Sequence, residues 1–108
     1  MTDRRVGGAL TEGVFYILLA LTKPRHGYGI MQFVKELSGG RVILSPGTLY
    51  GALNTLSDKG WIEIFKADEN SPKKEYIITN NGHEVLKNEV LRLRELLNQA
   101  ERIMGDWL

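Results

Sequence analysis

The chain of 108 residues contains no cysteine. That excludes a disulfide framework and suits a reducing compartment, so a cytoplasmic protein is expected. Histidine is scarce as well: His26 and His83 are the only two, and without thiols they cannot make up a usual zinc set. There is no excess of either charge. Fourteen Lys and Arg face thirteen Asp and Glu, a formal net of +1, so any basic surface for nucleic acid has to be local. Long hydrophobic runs are also missing. The apolar stretch at 14–21, "VFYILLAL", is too short to span a bilayer. Arg4 and Arg5 precede it, but Asp3 and Glu12 flank it and Thr22-Lys23-Pro24 follows in place of a small-residue cleavage site. It reads as core, not as a targeting segment.

Catalytic patterns are equally thin. "HEVLK" at 83–87 begins like a zinc-protease motif, but Lys87 stands where the second histidine must be. "GYGIMQ" at 27–32 lacks the third glycine of a dinucleotide loop and follows no strand. No nucleophile with a nearby base is visible, so neither an enzyme, a cofactor nor a metal is expected.

What is present is an ordinary globular balance, 43% hydrophobic and 25% charged, in a length that fits one domain. Thr11 is placed to cap a first helix with Glu12 in its first turn. Its apolar residues run nearly all round, which calls for neighbours on several faces. Those neighbours are either a second subunit or a tight wrap by this chain. "TKPRHG" at 22–27 reads as a turn. A second helix follows from about Tyr28 to Ser38, with Ile30, Phe33, Val34 and Leu37 at helical spacing. Gly39-Gly40 ends it, and "RVIL" at 41–44 reads as a short extended piece.

Ser45 caps the third helix and Pro46 suits its first turn. Leu49, Leu53 and Leu56 recur at i, i+4 and i+7 as a buried stripe, and Asp58-Lys59-Gly60 stops the helix. "WIEIFKA" at 61–67 alternates as a strand, with Ile62, Ile64 and Lys66 on one side and Trp61, Glu63 and Phe65 on the other. "DENSP" at 68–72 is a polar tip and "KKEYIIT" at 73–79 the returning strand. Thr79 caps a last helix running to about Trp107. Leu86, Val90, Leu93, Leu97, Ala100, Met104 and Trp107 form a heptad seam, widened by Leu96 and Ile103. A seam of this length either faces the same helix of a second copy or lies across its own domain. No other helix in the chain is long enough to match it.

The expected class is therefore mainly α with a small β-hairpin: a winged helix-turn-helix (α-α-α-β-β) over residues 1–79, then a long dimerisation helix over 80–108. In such a fold the third helix leads into the DNA major groove. Opposite its leucine stripe lie Gly47, Gly51 and Asn54, flanked by Thr48 and Tyr50. Each interior glycine costs about 1 kcal/mol relative to alanine. Close approach of the backbone to a groove wall is one reason to retain them, and a plain solvent-facing helix start is the other reading. The free N–H groups near Ser45 favour a phosphate, and Asn54 can pair with adenine. Residues 1–79 carry ten basic and eight acidic residues, a net of +2, and residues 80–108 four and five, a net of −1. The cations Lys23, Arg25, Lys66, Lys73 and Lys74 fall where a DNA face needs them. The expected DNA-binding set is Ser45, Gly47, Thr48, Tyr50 and Asn54, with Tyr28, His26, Lys66, Lys73 and Lys74. The rival class is a winged helix that binds protein instead of DNA, which the near-neutral total charge keeps open.

"HGYGI" at 26–30, "SPGTLYGAL" at 45–53, "DKGWI" at 58–62 and "YIITNNGHEVL" at 76–86 resemble, in order and spacing, the blocks of the PadR family of bacterial winged-helix transcriptional regulators. The resemblance covers about residues 10–107, and the Ser-x-Gly-Thr-Leu-Tyr block is its specific part. The single long final helix is similar to the family's short-tailed members. The resemblance implies a homodimer joined by the last helices, with helix one against the partner. It also implies a pseudo-palindromic double-stranded operator, usually repressed, and release by a small aromatic or drug-like effector at the dimer interface. Family roles map onto Ser45, Thr48, Tyr50, Lys73 and Lys74. The chain departs from the pattern at Glu75, which precedes Tyr76 at the wing base, and at Leu93, near where some drug-binding members place a tryptophan.

Overall fold

Hydroxyl side chains start three of the four helices at the positions the sequence predicts. Thr11 Oγ1 accepts from Val14 N at 3.2 Å, Ser45 Oγ from Thr48 N at 3.2 Å, and Thr79 Oγ1 from Gly82 N at 3.1 Å. Each such cap is worth about 1 kcal/mol against alanine. The computed structural model describes residues 9–71 and 73–108; Asp3, Arg4, Arg5 and Pro72 lie outside the described residues. The order is α1 (Glu12–Ala20), β1 (Arg25–His26), α2 (Gly27–Leu37), α3 (Pro46–Asp58), β2 (Ile62–Ala67), β3 (Lys74–Ile78) and α4 (Asn80–Met104), closed by a 3-10 turn at Gly105–Trp107.

One core joins these elements. α1 with its C-cap contributes Ile17, Leu18, Ala20 and Leu21, α2 contributes Ile30 and Val34, and α3 the predicted stripe Leu49, Leu53 and Leu56. Ile62, Ile78 and Leu86 complete it. Val14, Phe15, Tyr16 and Leu19 pack against this core but stay half-buried. The chain therefore covers one side of its apolar first helix and leaves the other partly open. The run at 14–21 lies in a core helix, as expected.

The structure departs from the sequence reading in four places. Residues 22–27 are not only a turn: Arg25 and His26 form a strand opposite Tyr76 and Glu75, so the sheet has three strands in the order β1-β3-β2. Residues 41–44 are irregular and pair with no strand. A bulge between Ile64 and Lys66 breaks the expected alternation: Ile64 opposes Tyr76, while Lys66 opposes the next residue, Glu75. Opposed residues share a sheet face and neighbours do not, so Lys66 faces the other way from Ile64. The last helix ends at Met104, and Trp107 belongs to the 3-10 turn.

Backbone hydrogen bonds fasten the sheet to the helices. Ile78 N donates to Leu21 O at 2.8 Å, and Thr79 N to Trp61 O at 2.9 Å. That second bond brings the Trp61 carbonyl onto the first turn of α4. A Cβ on Gly82 would overlap Trp61 O and crowd Ile78 Cγ1, so only glycine fits there.

α4 has 25 residues, about 37 Å at helical rise. Gly82, Leu86 and Glu89 are buried, so packing continues past the junction at residues 79 and 80. Glu89 is 4% exposed. It accepts from Leu10 N at 3.2 Å and, through both oxygens, from Arg92 at 2.7 and 2.6 Å. The Arg92 guanidinium holds this carboxyl below the usual glutamate range against the opposing effect of burial, and the Leu10 N–H adds to it.

Candidate nucleic-acid interface

α3 turns its leucines inward and presents Gly47, Thr48, Tyr50, Gly51 and Asn54 on its exposed side. A Cβ built on Gly47 or Gly51 meets no atom within 4 Å. Neither residue has a positive φ; that conformation is confined to Gly39, Gly40 and Gly60 among the described residues. Neither packing nor backbone geometry within this chain therefore requires glycine at these two positions. The surface along them is smooth, and its backbone is open to close approach.

The polar groups around this face differ in how free they are. Ser45 Oγ is occupied by the cap and donates to Thr48 Oγ1 at 3.0 Å, and the Thr48 hydroxyl proton has no acceptor among the described residues. Thr55 Oγ1 donates back to Gly51 O at 3.1 Å, and Asn54 is exposed. Tyr50 is 47% exposed and has a second contact that the sequence did not reveal. Its phenol lies over the start of α2, where a Cβ on Gly27 would overlap Tyr50 Oη. Burial raises the pKa of Tyr76, with a smaller contribution from the Tyr50 phenol. Tyr50 therefore connects α3 to α2 and β3 while keeping about half its surface outside.

At the start of α2, His26 is half-buried and makes no side-chain cap. Tyr28 is 64% exposed, and its Oη accepts from Gln32 Nε2 at 2.7 Å. Lys66, Lys73 and Lys74 are exposed along the hairpin. Lys66, Glu75 and His26 form one row across the sheet, so an acidic residue sits between the two potential cations. Arg25, expected among the DNA-facing cations, is engaged inside the fold. Its Nε donates to Ala20 O at 2.7 Å and its guanidinium lies 4.4 Å over the Phe33 ring. Arg41 is bound to Glu12 through two oxygens and reaches Tyr16 Oη at 3.4 Å; the pairing holds the Glu12 carboxyl below its ordinary range.

The predicted seam on α4 divides in two. Leu86 is buried in this chain's own core, and Val90 is half-buried in a groove of about 300 Å³ with Leu19, Leu91, His83, Lys87 and Arg94. Beyond it, Leu93, Leu97, Ala100 and Met104 are exposed along α4, and Trp107 is exposed on the 3-10 turn that follows. Among the described residues no group of three or more His, Asp or Glu is placed to hold a metal, and no helix is long and apolar enough to cross a membrane.

Comparison with known proteins adds an independent finding. The family model described as "Transcriptional regulator PadR-like family" matches residues 14–88. The structure of RosR from H. salinarum, grown from NaBr, is similar at a TM-score of 0.69 and 26% identity, covering 96% of each chain. A PadR family transcription regulator from hypervirulent Clostridium difficile superposes with a TM-score of 0.69 at 24% identity, over 88% of this chain and 100% of that one. A PadR family transcriptional regulator from Eggerthella lenta gives 0.66 at 23% identity, over 84% and 76%. These last two likenesses are of fold. No curated protein matches the sequence.

Proposed function

Because the chain belongs to the PadR-like family of transcriptional regulators, we propose that it is a sequence-specific DNA-binding regulator that acts in the cytoplasm as a homodimer. α3 enters the major groove with its Ser45 end leading, and the hairpin carries Lys66, Lys73 and Lys74 to the flanking backbone. The observation that carries this reading is the bare face at Gly47 and Gly51, where an added Cβ would meet no atom of the described residues within 4 Å. Thr48, Tyr50 and Asn54 border that face with groups able to meet phosphates or base edges.

The second copy is proposed from α4. An exposed row of Leu93, Leu97 and Met104 on a helix projecting beyond its core is an apolar surface that a matching helix would cover. Two copies related by a two-fold axis then read a pseudo-palindromic operator, and occupancy of that operator represses. The groove between Leu19 and Val90, apolar in its floor with His83, Lys87 and Arg94 at its rim, is where a small aromatic effector would meet this interface.

Selection of bound duplexes from a random pool tests the reading. The expected product is a paired motif with half-sites about one helical turn apart, bound with an affinity that falls steeply as salt rises. No enrichment, or a flat salt response, would favour a protein-binding module instead.

A further inference from the structure

Tyr28 and Gln32 stand one helical turn apart on α2, so the helix itself holds them together. Gln32 Nε2 donates to Tyr28 Oη at 2.7 Å. A phenol oxygen that accepts from an amide still has its own proton to give, and accepting makes it a stronger donor. Among the described residues that proton has no acceptor, and the residue is 64% exposed. The backbone that carries Tyr28 starts beside α3, because Tyr50 rests on Gly27, the preceding residue. An outward hydroxyl fixed as a donor suits a ligand atom that only accepts, and a phosphodiester oxygen is such an atom.

We propose that Gln32 is a positioning residue for DNA binding, holding the Tyr28 hydroxyl as an outward donor to a backbone phosphate. The proposal rests on the DNA-binding reading above. A phosphate contact carries no sequence information, so a mixed-sequence duplex is a sufficient probe. The dissociation constant is measured by fluorescence anisotropy at several salt concentrations for the full chain, Gln32→Met, Tyr28→Phe and the double variant. Loss of one hydrogen bond to a charged acceptor weakens binding about ten-fold in Tyr28→Phe, and loss of its orientation about three-fold in Gln32→Met. In the Tyr28→Phe background, Gln32→Met adds nothing. The slope of affinity against salt is the same for all four proteins, since neither side chain displaces a counterion. The inference is overturned if Gln32→Met has an equal effect with and without the Tyr28 hydroxyl. It is also overturned if Tyr28→Phe leaves binding unchanged, or if the losses track a fall in melting temperature; in these cases the DNA-binding reading stands. A wild-type chain that binds no duplex would remove both.

Discussion

Replacing Gly51 with alanine separates what the fold needs from what its ligand needs. Gly51 is in the interior of α3, with no positive φ and no atom within 4 Å of a built Cβ. The added methyl meets no clash, and alanine is the better helix former by about 1 kcal/mol. In a domain of this size that raises the melting temperature by about 4–8 °C. If α3 lies in a groove with Gly51 against the wall, the same methyl must displace the duplex. Forcing one methyl into a close-packed contact costs about 1–3 kcal/mol, so affinity falls about ten-fold or more. Thermal denaturation at matched protein concentration gives the first number, and anisotropy on the selected duplex gives the second. Higher stability with unchanged affinity would mean that this face does not meet DNA. Lower stability would mean that Gly51 is not where the structure places it.

Gly82→Ala should do the reverse. Its methyl would meet the Trp61 carbonyl, so thermal melts should show a loss of about 2–3 kcal/mol. Glu89 gives a pH prediction. Its folded-state pKa lies below the ordinary 4.5, so its stabilising contribution is complete above that value and is lost as pH falls through the lower, folded one. Glu89→Gln should flatten the acid limb of stability against pH, and an unchanged limb would contradict the pairing with Arg92. Leu97→Lys puts a charge in the middle of the exposed α4 row, and sedimentation should show a dimer for the wild type and a monomer for the variant.

The features legible in the sequence were those fixed by neighbours along the chain. Thr11, Ser45 and Thr79 cap within their own turns, and Leu49, Leu53 and Leu56 declare a face by spacing alone. The strand at Arg25 was not legible. Two residues between Pro24 and Gly27 show no period, and their pairing depends on Tyr76 and Glu75 far along the chain. The same holds for Arg25 over Phe33, for Tyr50 on Gly27 and for the Trp61 carbonyl at Gly82. Each is a contact between residues of different elements that no local period relates, and composition does not encode it. The burial of Glu89 was not legible either, because it depends on Leu10 and the segment leading into α1. The open face at Gly47 and Gly51 was legible because it depends only on helical geometry and on the absence of side chains.

The natural absence of cysteine allows a direct test of where that face sits, since a single introduced thiol is the only one in the chain. Asn54→Cys on α3 and Glu101→Cys on the distal part of α4 can each be mixed with a duplex carrying a disulfide-tethered base in its major groove. A rapid cross-link from position 54 and none from position 101 is the result predicted. Capture at 101 with none at 54, or at neither, would contradict the placement of α3 in the groove.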